Sequence, residues 1–238
     1  VMDMTIGVKY SEVYADPKAD IWAYAWAGGT RARPPDYTGP TTFYDYLVTL
    51  RKEGEHGAGF TYKTINTEVL AWVVKRVAGL RLADLTSQQI WAKLGCEHDA
   101  LYQVDSVGTE SGGGGLSTTL RDLARFGEAM RCDGSFNGQQ VVPASVVDDI
   151  RRGASRDQFA TAGYATLPGW SYRNMWWVTH DAHHCFTARG IHGQLIWIDP
   201  LAEMVIARYA SHPMAANVYL DPTSLPAYRA LAEHLLRG

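Results

Sequence analysis

The sequence predicts an α+β fold: a mainly helical region, then the C-terminal part of a mostly antiparallel sheet, covered by a C-terminal helix. Apolar residues recur at helical spacing through the first half of the chain, whereas aromatic and β-branched runs dominate after Gly163. Helical spacing returns from Leu225 to Leu236. We therefore expect a helical region over residues 1–162 and a strand-rich region over residues 163–238, packed as one compact unit.

Five helices are predicted before Gly163. The second has apolar residues at Val69, Leu70, Val73, Val74 and Val77 and is stopped by Gly79, because glycine readily adopts the left-handed conformation that ends a helix. The fourth follows Ser117, the expected N-cap. In chain order, the five are the pattern at Phe43, Tyr46, Leu47 and Leu50, then Ile65 to Ala78, Leu82 to Leu94, Thr119 to Arg131, and Ala144 to Arg151.

Four strands are predicted after Gly163, because aromatic and β-branched residues are typical of strands. They cover Trp170 to Thr179, Phe186 to Arg189, Gln194 to Ile198, and Met204 to Tyr209. The short spacings between them favour antiparallel hairpins.

Composition narrows the range of functions. The chain has 238 residues, 46% of them hydrophobic, and a formal net charge of −3. Without a dense Lys or Arg run, a nucleic-acid partner is not expected. No apolar run approaches the ~20 residues of a membrane helix, and residues 1–5 lack the basic start of a secretion signal. A truncated start would also lose any signal, so the location stays open, with a cytoplasmic location favoured over a secreted one. Three widely spaced cysteines predict reduced thiols.

Five stretches of the sequence together resemble one enzyme family. They begin at Asp3 (DMTIGV), Gly59 (GFTYKTINTEVL), Gly113 (GGGLSTTLRDLARF), Trp176 (WWVTHDAH) and Arg189 (RGIHGQLIWIDP). Their order and spacing resemble class C beta-lactamases and, more closely, 6-aminohexanoate-dimer hydrolases, within the superfamily of penicillin-recognising serine hydrolases. The resemblance covers nearly the whole chain and implies a hydrolase of a small molecule.

One motif of that superfamily is absent from the sequence. No serine is followed three residues later by lysine, so the Ser-x-x-Lys nucleophile motif is not present. We expect an N-terminal truncation, because relatives carry this motif in an earlier segment. Such a truncation would remove a central helix and an edge strand and uncover apolar surface. We therefore expect a homodimer in which one subunit covers the gap in the other.

Tyr62 is the first candidate catalytic residue. In the family, a tyrosine in a Tyr-x-Asn or Tyr-x-Ser motif assists the nucleophile, and a phenol beside positive charge can carry a proton. Here the motif reads Tyr62-Lys63-Thr64, with a hydroxyl at the third position. The alternative is a half-buried tyrosine that packs against the core.

His192 is the second candidate, in Gly190-Ile-His-Gly-Gln. This stretch resembles the family's Lys-Thr-Gly strand, where small residues let the substrate lie along the sheet edge and a backbone N–H completes the oxyanion hole. The resemblance makes Gly193 and Gln194 candidate substrate-binding residues. A structural histidine on a strand is the alternative.

The segment from His180 to Cys185 is a candidate metal site, because it holds five potential donors in six residues between two predicted strands. Imidazole suits zinc and related divalent transition metals, so His180, His183 and His184 are the predicted ligands, and His184 shares strand parity with His192. A surface turn that merely tolerates His and Asp is the alternative.

These observations leave three functions open. The first is a hydrolase in which a divalent metal activates water against an ester or phosphoester, replacing the absent serine. The second is the C-terminal part of a serine amide or ester hydrolase that is inactive without its N-terminal segment. The third is a non-catalytic binding scaffold. The histidine cluster slightly favours the first function, the metal-assisted hydrolase.

Overall fold

The computed structural model describes residues 1–238 and confirms the α+β class. Contacts within the chain define two compact units. The first unit contains Val1–Gln88 and Asp99–Thr118, and the second contains Gln89–His98 and Thr119–Gly238. No helix combines the length and the apolar character that crossing a membrane requires.

The first unit is mainly helical. Its elements are α1 (Asp20–Ala27), α2 (Phe43–Leu47), α3 (Thr64–Ala78), α4 (Leu82–Thr86) and the two-residue strands β1 (Leu101–Tyr102) and β2 (Leu116–Ser117). Its core is aromatic where α1, α2 and the start of α3 meet, and consists of Tyr10, Ala19, Ile21, Tyr24, Ala27, Phe43, Tyr46 and Ile65. Burial of these rings is the main source of stability in this unit.

The predicted helix from Ile65 to Ala78 is confirmed as α3, but its apolar residues do not form a buried face. Gly79 ends it in the left-handed conformation, with φ 65°. Val73, Val74 and Val77 are 44%, 46% and 84% exposed. The buried residues of α3 are instead Thr64, Ile65, Asn66 and Glu68. Polar contacts at its N-terminal half therefore hold this helix in place.

The second unit is a five-stranded antiparallel sheet with helices packed on it. The sheet order is β5 (Ser171–Arg173), β6 (Trp176–Val178), β7 (Phe186–Arg189), β8 (Leu195–Asp199) and β9 (Met204–Arg208). The other elements are α5 (Ala92–Leu94), α6 (Leu120–Arg131), β3 (Ser135–Phe136), β4 (Gln139–Gln140), α7 (Ala144–Arg152), α8 (Arg156–Ala160) and α9 (Asp221–Leu236). Its core is Met130, Val147, Ile150, Trp176, Val178, Phe186, Ile196 and Ile198.

Two helices pack closely on this sheet. A Cβ atom at Gly127 of α6 would lie 2.6 Å from Val205 and 3.0 Å from Ile196, so only glycine permits this approach. The C-terminal helix covers the sheet as predicted, with the Tyr228 ring of α9 5.4 Å from the Trp197 ring of β8.

Three local predictions differ from the structure. The predicted strand from Trp170 to Thr179 is a hairpin, because Asn174 and Met175 adopt positive φ angles and reverse the chain between β5 and β6. Thr119, not Ser117, caps α6, and its hydroxyl accepts from the Asp122 N–H at 3.2 Å. The predicted helix from Leu82 to Leu94 contains a π-helical turn, Ser87–Trp91.

The predicted division after residue 162 separates helix-rich from strand-rich sequence, whereas the packed units divide the chain at 88/89, 98/99 and 118/119. The difference has a physical cause. Helices α6, α7 and α8 contact the sheet, so they belong to the unit that contains the strands although they precede them in sequence.

Candidate functional site

Tyr62 lies two residues before the first residue of α3 and is half-buried. The backbone on either side of it is fixed: the Thr61 N–H donates to the Met4 carbonyl at 2.9 Å, and Lys63 Nζ donates to the Val8 carbonyl. Lys63 has extended backbone angles, which places Tyr62 outside the helix at its positive end. This is a suitable position for a phenol that carries a proton.

Two ionisable groups flank this tyrosine's segment in the first unit. The Glu12 carboxylate accepts from the Thr64 N–H at the start of α3. Burial raises the pKa of Glu12 to about 7, against the hydrogen bond from Thr64 and the charge of Lys63, which lower it. Burial also lowers the pKa of Lys63, opposed by Glu53, Asp20 and Glu12. A carboxyl group that changes charge near neutral pH, that of Glu12, therefore lies at the start of α3.

The glycine run after Ser111 is held by a buried carboxylate that the sequence analysis did not identify. Glu68 Oε1 accepts from the Tyr24 hydroxyl, the Ser111 hydroxyl and the Gly113 N–H, each at 2.7 Å. A Cβ atom at Gly113 would lie 2.4 Å from Thr64 Cγ2. The run therefore packs against α3. Glu68 is an acidic residue within the apolar pattern of a predicted helix, and this signal could have indicated a buried carboxylate.

His192 does not lie on a strand, because its backbone turns where a strand would continue. It lies in the short helical turn Ile191–Gly193 between β7 and β8, with φ 58°. Its N–H donates to the Ala215 carbonyl at 3.1 Å, and Nδ1 donates to the His212 carbonyl at 2.7 Å. With Nδ1 protonated, Nε2 is the acceptor of the neutral ring. The predicted strand parity of His184 and His192 is also wrong, because His184 likewise lies in a turn and not on a strand.

Gly193 and Gln194 are fixed by neighbouring backbone. Gly193 has φ 91°, and a Cβ atom there would lie 2.7 Å from the His212 ring, so glycine is required. The Gln194 amide pairs with both backbone groups of Ala210, accepting from its N–H at 3.0 Å and donating to its carbonyl. The side chain of Gln194 thus shapes the turn, and its role in substrate binding stays a prediction.

The three histidines of the predicted metal site lie in or next to the turn between β6 and β7, but their rings do not converge. His180 Nε2 is 2.7 Å from Ser171 Oγ. Burial lowers the pKa of His180, and the nearby Arg156 adds to this effect. His184 has φ 58° and an exposed side chain. Neither ring joins His183.

His183 is instead grouped with Cys185 and Asp199. One ligand atom from each of the three lies within 4.8 Å of the others. His183 Nδ1 is 2.7 Å from Asp199 Oδ2, and both Cys185 and Asp199 are 2% exposed. Burial, followed by the nearby Asp181 and Asp199 carboxylates, raises the pKa of the Cys185 thiol.

Asp199 is not among the predicted ligands, although strand register could have identified it. In the β7–β8 hairpin, Arg189 pairs with Leu195 and Phe186 with Ile198. Extending this register by one residue places Cys185 opposite Asp199. His183 is two residues before Cys185 and returns to the same side of the hairpin.

Three comparisons with known proteins agree with this architecture. The sequence profile of the beta-lactamase family matches residues 1–216. The 6-aminohexanoate-dimer hydrolase of Paenarthrobacter ureafaciens is 38% identical over 214 residues, which are 90% of this chain and 54% of the relative. A Bacillus anthracis protein assigned as a 6-aminohexanoate-dimer hydrolase has a structure with TM-score 0.88 and 32% identity, covering 99% of this chain and 60% of that one.

A more distant structure shares the fold alone. The hydrolase EstCE1, described as having promiscuous acyltransferase activity, has a TM-score of 0.66 and 16% identity, over 92% of this chain and 68% of its own. The profile match and the 38% identity define a scaffold of the serine hydrolase superfamily. The chain belongs to the beta-lactamase family. It spans between 54% and 60% of the length of the two 6-aminohexanoate-dimer hydrolases it matches.

Proposed function

We propose that this chain is part of a hydrolase that cleaves amide or ester bonds in a small molecule. The observation that carries the proposal is its 38% identity to a 6-aminohexanoate-dimer hydrolase across 90% of the chain. The name of that relative describes a dimer of an amino acid, whose two units are joined through an amide. This dimer is therefore the first substrate to test.

Tyr62 is the proton carrier in this proposal. Its position just before α3 is set by the bonds of Thr61 and Lys63, and the helix end favours a negative phenolate. The phenol would take a proton from the nucleophile and return it to the leaving amine or alcohol. A role of His192 and Gly193 in the reaction is a separate proposal, which rests on the resemblance of their segment to the family's Lys-Thr-Gly strand.

The proposal places the nucleophile outside these 238 residues, which contain no Ser-x-x-Lys motif. The relatives are longer, and the Ser-Lys pair would come from the portion that they have in addition. An acyl-enzyme on that serine would form and then be hydrolysed, as in other serine amide hydrolases.

Reconstitution tests this proposal. The chain is co-expressed with the portion of the Paenarthrobacter ureafaciens hydrolase that it does not match, and amine release from the 6-aminohexanoate dimer is measured. We expect hydrolysis by the purified complex, abolished by a serine-directed covalent inhibitor and unchanged by chelators. A stable complex that hydrolyses neither the dimer nor an activated ester would contradict the proposal.

Metal-assisted hydrolysis is the second candidate, and the grouping of His183, Cys185 and Asp199 favours it. Here a metal-bound water would attack an ester or phosphoester. Hydrolysis of an activated ester by the chain alone, lost on chelation and restored by zinc, would favour this candidate over the serine mechanism.

The homodimer also stays a proposal. The exposed valines of α3, with Val77 84% exposed, supply apolar surface that association would bury. A monodisperse monomer in light scattering at micromolar concentration would contradict it.

A further inference from the structure

Three side chains of different chemistry meet at one end of the sheet in the second unit. His183 lies in the turn after β6, Cys185 directly precedes β7, and Asp199 is the last residue of β8. They supply nitrogen, sulfur and oxygen donors within 4.8 Å of one another. Imidazole, thiolate and carboxylate are the three side-chain ligands that zinc prefers in proteins.

The spacing of these donors suits a metal after a small movement. His183 Nδ1 and Asp199 Oδ2 are 2.7 Å apart, a distance set by a shared proton. Two ligands of a tetrahedral zinc are ~3.4 Å apart, given zinc–nitrogen and zinc–oxygen bonds of ~2.1 Å. The His183 side chain, 23% exposed, is the freest of the three and can open this gap without disturbing the strands.

Charge balance favours a dication over any other ligand. Thiolate and carboxylate contribute two negative charges and a neutral imidazole contributes none, so one divalent ion neutralises its own three ligands, and the Asp181 carboxylate beside Cys185 adds further attraction for a cation. This neutralisation is important here because Cys185 and Asp199 are almost fully buried, and an isolated charge there would be costly.

The ligands are also oriented by hydrogen bonds around them. Asp181 Oδ1 accepts from the backbone N–H groups of His183 and Cys185, both at 3.1 Å, and this fixes the turn. The other oxygen of Asp199 accepts from the Ala202 N–H at 2.9 Å. Such outer contacts are typical of metal sites, where they hold the ligands in position.

We propose that His183, Cys185 and Asp199 bind one zinc ion, or a similar divalent transition metal, with a fourth position left for water or another small ligand. His180 and His184 are not ligands, since His180 bonds to Ser171 and His184 is exposed beside the group. The metal would join the β6–β7 turn to the end of β8. This inference does not rest on the proposed hydrolase activity.

Cobalt binding tests the site directly. The purified chain is stripped with a chelator and titrated with Co²⁺, then with Zn²⁺ in competition. We expect about one Co²⁺ per chain, with a thiolate-to-cobalt charge-transfer band in the near ultraviolet and visible bands typical of tetrahedral coordination. Zinc should abolish both.

Three variants at the proposed ligands and two controls assign the site. Cys185→Ser should remove the charge-transfer band, and His183→Ala should weaken zinc binding on the order of 100-fold or more, since loss of an outer contact alone costs 10–100-fold. The controls Cys132→Ser and His184→Ala should bind as the unmodified chain does. Circular dichroism verifies the fold of each variant, and Asp199→Asn, which keeps the Ala202 contact, tests the third ligand if Cys185→Ser is unfolded.

Two results would overturn the inference. One is a folded chain that binds no Co²⁺ at micromolar concentration or binds it without the thiolate band. The other is loss of binding in His184→Ala with binding retained in His183→Ala.

Discussion

Two buried carboxylates, one in each unit, are satisfied in different ways. Glu68 is 3% exposed and accepts at one oxygen from two hydroxyls and a backbone N–H. Asp199 is 2% exposed and pairs with an imidazole and a backbone N–H, with a thiol nearby. The partners of Glu68 are those of a structural carboxylate. The partners of Asp199 include groups that bind metals or transfer protons.

The difference shows that burial alone does not indicate chemistry. Burial raises the pKa of Tyr24 well above its ordinary value, and the Glu68 charge adds to this, so the phenol remains a hydrogen-bond donor at every physiological pH. Glu68 therefore stabilises the glycine run and α3. Asp199 keeps partners that can exchange a proton for a metal ion, which makes it the candidate for function.

The largest effect is expected at Glu68. Glu68→Ala leaves two buried hydroxyls and the partly buried Gly113 N–H without their acceptor and should lower the free energy of unfolding by about 3–5 kcal/mol. Glu68→Gln keeps an acceptor oxygen and should cost about 1–2 kcal/mol. Urea unfolding followed by circular dichroism measures both. Equal costs for the two variants would show that the three donors find other partners.

Asp199 should have an intermediate effect on the metal-free chain. Asp199→Ala leaves the Ala202 N–H and His183 unpaired and should cost about 2–3 kcal/mol, and His183→Ala should cost about 1–2 kcal/mol. The two losses should overlap by about 1 kcal/mol in the double variant, because both remove one hydrogen bond. His184→Ala, the matched control, should stay within about 0.5 kcal/mol. Full additivity of the first two would contradict the pairing.

Glu12 should have the smallest effect, confined to one pH range. Its pKa in the folded chain, about 7, lies above the ordinary 4.5. Because the folded pKa is raised, the stability that protonated Glu12 contributes is fully present below about pH 4.5 and is lost as the pH rises through 7. Glu12→Gln should remove this loss, gaining about 1 kcal/mol at pH 8 after allowance for solvent screening. Melting temperatures from pH 4 to 8 check it, and parallel curves for the two chains would argue against a buried charge.

Sequence reasoning located most elements because their patterns are local. The helix at α3 followed from apolar spacing and Gly79, and the strands β7, β8 and β9 from β-branched and aromatic runs. The hairpin between β5 and β6 was missed because Asn174 and Met175 reverse the chain within an unbroken aromatic run.

The candidate sites were only partly predictable, because they depend on contacts between distant residues. His183 and Asp199 are 16 positions apart and meet through strand register, whereas His180 and His184 are close in sequence but point elsewhere. Glu68 contacts Gly113 across 45 positions. Neither contact follows from local periodicity.

The most direct test of the proposed hydrolase function is the kcat of the reconstituted complex with Tyr62→Phe, measured on the 6-aminohexanoate dimer. Tyr44→Phe, which alters an exposed tyrosine of α2 in the same unit, is the matched control. Because a positioned acid or base contributes typically ~10²–10⁴-fold, Tyr62→Phe should lower kcat at least ~100-fold with little change in KM. The control should keep full activity. An active complex whose kcat is the same with phenylalanine at position 62 would contradict the role of this tyrosine.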